Sequence, residues 1–464
     1  MHYNNDLLNV LELNEICGNY RPTSFPGTDS CIMECRNSKG ASVKKIRMTA
    51  PTVKECLCEK CGNRIKPNSK GRRYMNLKHR SMGVMLAEIN VGYNRYTCPV
   101  CSHYWKENVP FKVKGHMMTL PALNALLFHF MENTAMAVMA RLTGISAPTV
   151  YRLFYDNIEV PHRTYHLPSV LSIDEFRATS DEGTFAFHIT NPITGKTLDI
   201  VSDRTMSTLL DYFSRFSHEQ KKKVKIVVMD LSGAFNKIIR KIFPNAKQVA
   251  DKFHYVKVLR QNMTDARVRC MKRMDRKDPL YRVMKKNIHL FDQYHSRLNN
   301  EKAWMRGCFR NERTGKLLEL TNRDLVEMIL DREECADFKP AYDLYQEFLD
   351  ILHLPQSDYK EALNNWIDKC IDGECKAFSA SAKNFRKNWF LAILRSLTYT
   401  AYYRRNGITY KTSFNNGFCE SQNNKVKLVK RNAFGYKYFI NLRKRILLHL
   451  GFRYTLKFEE TKKG

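Results

Sequence analysis

Val170-Leu171-Ser172-Ile173-Asp174 is a short apolar run that ends on a carboxylate, and from this point the hydrophobic period of the chain becomes that of strands. Residues 184–190 and 197–201 continue it, with Asn191-Pro192-Ile193-Thr194-Gly195 as the turn between them. Residues 206–216 have a helical period. Val224-Lys225-Ile226-Val227-Val228-Met229 then has the near-continuous apolar character of a strand buried on both faces, and it too ends on a carboxylate, Asp230. A helix over 234–243 and a strand over 247–250 complete the order β-β-β-α-β-α-β.

Working outward, residues 258–403 read as long helices. Their first part, 260–286, carries ten Lys or Arg against three Asp, which suits either a solvated face or a track for phosphates. Trp304, Trp366 and Trp389 lie in this section and are expected in its core rather than stacked on bases. Beyond it, Glu420 opens a basic helix. At 100° per residue Glu420, Asn423, Lys427 and Arg431 fall within one narrow arc, so a carboxylate, an amide and two cations share a face. About 190 residues separate Asp230 from Glu420, too many for a loop. A helical domain inserted between the two is therefore expected.

The chain of 464 residues carries 77 Lys plus Arg against 46 Asp plus Glu, a formal net charge of +31. Such a field attracts a polyanion. A membrane surface is the other candidate. No apolar run approaches the length of a span and the N-terminus lacks a signal-peptide pattern, so a cytoplasmic, nucleoid-associated protein without membrane contact is expected. Two strand-end carboxylates and one at the start of a basic helix suit a divalent metal held against a phosphodiester.

Cysteine usage agrees. Of fourteen, four form the pairs Cys58-x2-Cys61 and Cys98-x2-Cys101, the set of soft thiolates that one structural zinc requires. Gly62 and Pro99 suit tight knuckles, and a hairpin containing Lys66-Pro67-Asn68-Ser69-Lys70-Gly71 is expected to absorb the long separation between the pairs. Cys56 reads as a spare thiol, and the others, Cys270 and Cys335 among them, as ordinary reduced cysteines. After this ribbon, 133–142 and 147–154 have helical character around Thr143-Gly144-Ile145-Ser146 and resemble a helix-turn-helix. Gly144 accommodates the turn and Ser146 is placed to cap the second helix. Thr149 and Arg152, near the start of that helix, are the expected contacts to double-stranded DNA. A plain helical hairpin is the simpler alternative.

The strand order resembles the ribonuclease H-like fold. That resemblance implies an α/β core with a mixed five-stranded sheet, its first and fourth strands parallel neighbours, which brings Asp174 beside Asp230. The succession of zinc ribbon, helix-turn-helix and split core resembles the DDE transposases of bacterial insertion sequences, in particular the ISL-three family. The matching segments are Ser172-Ile173-Asp174-Glu175-Phe176, Met229-Asp230-Leu231-Ser232, Phe243-Pro244-Asn245-Ala246, Asp251-Lys252-Phe253-His254, Gly417-Phe418-Cys419-Glu420-Ser421-Gln422-Asn423 and Lys430-Arg431-Asn432-Ala433-Phe434-Gly435-Tyr436.

The organisation this implies is an unassigned segment 1–50, a zinc ribbon 51–115, a helix-turn-helix 116–165, the first part of the core 166–258, an all-α insertion 259–405, the second part of the core 406–450 and a basic tail 451–464. The resemblance further implies that Asp174, Asp230 and Glu420 ligate two Mg²⁺, replaceable by Mn²⁺, for strand cleavage and transfer at the ends of an element. The protein would be assembled as a dimer or larger oligomer on element ends and target DNA. Asn423, Lys427 and Arg431 would face that DNA, and Asp251 and His254 would support the site. Glu175 is a competing ligand, ranked lower because neighbouring strand residues face opposite ways. The alternatives are a DNA-binding repressor or a structure-selective nuclease on the same fold.

Overall fold

The computed structural model describes residues 2–38, 40–161, 166–298, 309–311, 313–317, 320–405, 407–433 and 435–457. Trp304 lies outside them. The chain divides into two compact units, one of residues 1–162 with 426–464 and one of residues 163–425.

In the first unit a six-stranded sheet is built around Met85–Thr97, which pairs parallel with Ser42–Thr49 and antiparallel with Asn68–Met82. Ile46, Leu77 and Ile89 lie side by side in the register and are fully buried. Leu8, Leu11, Leu13, Cys17 and Tyr20 join the same core. The first fifty residues, unassigned from sequence, are thus part of the sheet and its packing. The stretch between the two cysteine pairs is a long hairpin whose first strand includes residues 68–71. Asn68–Met82 and Met85–Thr97 are long partners that reverse at Gly83, whose φ of +63° glycine adopts without strain.

Helices Leu120–Met131, Met136–Thr143 and Ala147–Tyr155 follow. Gly144 ends the second of them in the left-handed conformation expected of a helix-terminating glycine. Ser146 occupies the N-cap position of the third without bonding its backbone; its hydroxyl meets Thr149 Oγ1 at 2.9 Å. Arg152 is exposed and Thr149 half-buried. The helix Phe439–His449 packs on Leu120–Met131, and Thr455–Leu456 pairs with Ile158–Glu159. Part of the expected second core segment and of the tail therefore belongs to this unit, because the apolar side of that helix, with Leu442 and Ile446, is buried here.

The second unit holds a five-stranded sheet. Its strands are β1 (Val170–Ser180), β2 (Gly183–Asn191), β3 (Lys196–Val201), β4 (Ile226–Met229) and β5 (Lys247–Ala250). Their spatial order is β3-β2-β1-β4-β5, with β1, β3, β4 and β5 running in one direction and β2 antiparallel to its neighbours β1 and β3. Alternation along β1 sends Leu171 and Ile173 into the main core with Val227 and Met229, while Val170 and Val228 pack on the other face with Ala401 and Phe414. Both faces of the central strands are covered, which is why Val224 to Met229 shows no polar alternation.

Among the described residues, Lys252–Leu298 and Asn322–Thr398 are mainly helical, and a hairpin, Thr400–Arg405 with Ile408–Ser413, follows. The insertion is therefore not wholly α. Trp366 and Trp389 are buried in its core. Several cations of 260–286 are taken: Arg260 by Asp292, Arg273 by Asp337, and buried Arg267 by the carbonyl of Met284. Cys270 and Cys335, expected reduced, are joined as a disulfide. Both are fully buried and link the long helix Lys252–Met271 to the turn at Glu333–Cys335.

Candidate active site

Ser172 lies opposite Val228 in the parallel ladder, so the next residue on the same face of each strand, Asp174 and Asp230, emerges at the same edge of the sheet. Asp251 follows β5 in the same way, pairing Met229 with Ala250 just before it. Three parallel strands thus deliver three carboxylates to one end. Glu420 arrives in the first turn of the helix Gly417–Asn432, where a carboxylate is favoured by the helix dipole.

His254, one turn into the helix that begins after Asp251, stands among these acids. Its Nε2 is 3.0 Å from Asp230 Oδ1, 3.7 Å from Glu420 Oε1 and 3.8 Å from Asp251 Oδ2. Burial opposes charging this ring, yet the hydrogen bond to Asp230 and the surrounding negative charge hold its pKa above the usual histidine value. The carboxylates move upward too. Burial, then the charge of Asp230, pushes Asp174 up to about 7, and burial is also the first cause for Asp251 and Glu420. Glu175 lies on the opposite face of β1 and is paired with Arg204.

A divalent cation fits this donor set. Ligand atoms of Asp230, Asp251 and His254 all lie within 4.8 Å of one another. Asp251 Oδ2 is buried with no hydrogen-bond partner among the described residues, and the mutual repulsion of the acids is what bound positive charge relieves.

Two amides hold the acids in place. Asn423 is 5% exposed; its Nδ2 donates to Asp174 Oδ2 at 2.7 Å, and its Oδ1 accepts from His188 Nδ1 at 2.8 Å. His188 Nε2 in turn meets Thr197 Oγ1 at 3.0 Å. Because Asn423 uses its oxygen as acceptor, His188 carries its proton on Nδ1, and burial pushes its pKa down to about 4, keeping it neutral. Asn423, expected from the helical arc to face DNA, is thus buried with its amide bonded inside the protein. Lys427 and Arg431, on the same helix, are exposed.

The second amide, Asn416, precedes that helix and is fully buried. Its backbone N–H donates to Asp251 Oδ1 at 3.0 Å, its Nδ2 donates to the Ile173 carbonyl at 3.1 Å, and its Oδ1 accepts from the Ser172 hydroxyl. Its carbonyl accepts from the N–H of Glu420 at 2.9 Å. One residue thus joins the strand of Asp174, the carboxylate of Asp251 and the turn that bears Glu420. Neither Asn416 nor His188 stood out in the sequence. An asparagine just ahead of a helix is a capping signal, and a histidine within an apolar strand is a weak one.

In the first unit Cys58, Cys61, Cys98 and Cys101 converge. Cys58 Sγ lies 3.6 Å from Cys101 Sγ, and Cys61 Sγ 3.8 Å from Cys98 Sγ. Four sulfurs each about 2.3 Å from a tetrahedral zinc stand about 3.8 Å apart, so the cluster fits that ion. A hydrogen bond from the Cys61 backbone pulls Cys58 down to about 6, the direction a ligating thiolate requires. Cys56 is outside the cluster, its thiol pushed up by burial.

Comparison with known proteins agrees with this geometry. The model of the ISL-three family of DDE transposases, described as "Transposase", matches residues 171–446, from the second residue of β1 to the helix beyond Glu420. The chain is also 22% identical over 406 residues to the transposase for insertion sequence element IS1001 of Bordetella parapertussis, covering 85% of this chain and 89% of that one. The chain belongs to the ISL-three family of DDE transposases. No helix among the described residues is long and apolar enough to cross a membrane.

Proposed function

We propose that this transposase binds the terminal inverted repeats of an insertion sequence and cuts and joins DNA strands at the cluster of Asp174, Asp230 and Glu420. The observation that carries the reading is the arrival of these acids, with Asp251, at one edge of a sheet whose order β3-β2-β1-β4-β5 is that of ribonuclease H-like enzymes. Asp174, Asp230 and Glu420 would hold two Mg²⁺ or Mn²⁺, with Asp251 and His254 beside them. When bound, such ions activate the attacking oxygen and stabilise the leaving one in an in-line displacement at phosphorus.

The chain's own residues do the rest. Asn423 fixes one oxygen of Asp174 and leaves the carboxylate turned toward Asp230. His254 places positive charge against Asp230 and Glu420 and so eases their mutual repulsion. Asn416 sets the first turn of the Glu420 helix against β1. Hydrolysis first frees a 3′ hydroxyl at the element's end; that hydroxyl then attacks target DNA, with a 3′ oxygen leaving at each step. The helices around Gly144 with Thr149 and Arg152 would read the ends, Lys427 and Arg431 would meet the phosphate backbone, and the four-cysteine ribbon would hold one zinc. The protein would act as an oligomer on two ends.

The test is nicking of duplexes carrying the element's ends in Mg²⁺. Asp174→Asn, Asp230→Asn and Glu420→Gln should each lower the rate at least a thousandfold, on the order expected for loss of a principal charge-stabilising group, with DNA affinity unchanged. Near wild-type cutting by any one of them overturns the role assigned to that residue.

A further inference from the structure

With Trp366 and Trp389 sealed in the core, the aromatic side chain best placed to meet nucleic acid is Phe253. It sits between Lys252 and His254, next to the carboxylate cluster, and is 53% exposed. A large apolar ring left in water beside a polar site is unfavourable unless something covers it. Phe253 borders a cavity of about 560 Å³ lined also by Asp251, Asp292, Tyr345, Leu352 and Glu420. Lys257 and Arg260 follow on the same face of the helix, at i+4 and i+7 from Phe253, and line the cavity too. The Lys257 ammonium lies 5.8 Å from the Phe253 ring centroid.

An exposed ring followed by cations, opening onto the acids, has the makeup of a single-strand nucleic-acid site: the ring offers a stacking face and the cations follow the backbone. A paired base has both faces already stacked within the duplex. Only an unpaired one can lie on Phe253. A cavity of this size is also within the range of pockets that enclose molecules as large as a nucleotide.

We propose that this cavity takes an unpaired DNA nucleotide adjoining the scissile phosphate, its base stacked on Phe253 and its phosphate held by Lys257, with Arg260, which is paired with Asp292 on the same wall, beside it. The proposal rests on the reading of the acid cluster as the place where DNA is cut, and it adds that the strand is opened there.

The experiment uses the full chain and a forked duplex with 2-aminopurine as its first unpaired nucleotide, in the absence of divalent cation. Binding of the wild type should quench the probe. Phe253→Ala should bind a fully paired duplex as the wild type does, lose the quenching and bind the fork about tenfold more weakly, the loss of one stacked base. Phe253→Trp should restore both. Leu391→Ala, removing a side chain 58% exposed elsewhere in the insertion, should change neither. Equal quenching by wild type and Phe253→Ala, or equal weakening on fork and paired duplex, overturns the proposal. Nicking in Mg²⁺ separates the two readings: if the wild type cuts no DNA, the assignment of the acid cluster falls. If it cuts and Phe253→Ala keeps the same preference for forks, only the nucleotide site falls.

Discussion

Two clusters suited to metal ions lie in different parts of this chain and are built on opposite plans. The four thiols of the ribbon come from two tight knuckles, Cys58 with Cys61 and Cys98 with Cys101, and their sulfurs already stand at the spacing of a closed tetrahedron. Ile65 and Trp105 pack against them in a small core, to which a bound ion would add. The carboxylates come from the ends of three strands and the start of one helix, and a separate network of buried amides, Asn416 and Asn423, keeps them apart and aimed. One cluster is closed and soft, fit for a structural zinc; the other is open and hard, fit for ions that also bind substrate oxygens.

The largest expected effect lies in the closed cluster. Cys98→Ser should release the zinc and unfold the ribbon, because metal binding and local folding there are one event. Metal analysis should fall from one zinc per chain to none, and hydrogen exchange should rise in residues 56–65 and 98–106 while β1 and β4 stay protected. Full zinc content in the variant would break the contrast drawn above.

In the open cluster the acids are held by amide hydrogen bonds of the chain itself, so removing a supporting group should act by degree. Asn423→Ala leaves Asp174 with only the Glu175 N–H on its other oxygen, and His188 Nδ1 without its acceptor. Apparent Mg²⁺ affinity in the nicking reaction should weaken about 10- to 100-fold, as it does for other groups that orient metal ligands, with the melting temperature little changed. Asn423→Gln should not rescue it, since the longer amide cannot serve Asp174 and His188 from the same backbone position. Loss of folding in Asn423→Ala, or unchanged Mg²⁺ dependence, would mean the amide is not an aiming device.

The smallest effect is on stability against pH. Asp174, Asp251, Glu420 and His254 all have folded pKa values raised above their ordinary ones. The stability they contribute is fully present below their unfolded pKa and is lost as pH rises through the folded one. For Asp174 that window runs from about 4 to about 7. The metal-free protein should therefore become less stable across it, and added Mg²⁺ should raise the melting temperature more at pH 8 than at pH 5. Equal shifts at the two pH values would show that the acids are not held in mutual repulsion.

The sequence made the strand order legible because Val224 to Met229 and Val170 to Ile173 are apolar in ways that only buried strands require. It also showed the four cysteines, whose spacing is itself the geometry. What it hid was depth. The helical arc correctly groups Glu420 with Asn423, but an angle around an axis cannot tell that Asn423 points into the protein and Lys427 out of it. His188 and Asn416 were silent because a buried polar residue makes no period of its own; only the partner across the fold, 235 residues away for His188, explains its presence. Likewise the role of 1–50 depended on long-range pairing with Met85–Thr97, which no local pattern announces.

One hydrogen bond has a consequence for how such a protein changes over time. The insertion leaves the core at Asp251 and returns at Asn416, and the N–H of Asn416 is bound to the carboxylate of Asp251, 165 residues earlier. Departure and return are therefore the same point in space. Lengthening a segment whose ends are already joined costs only logarithmically in chain entropy, so a surface turn between the intervening helices can grow without parting Asp251 from Asn416, while the helices themselves are held by the core they share with the sheet.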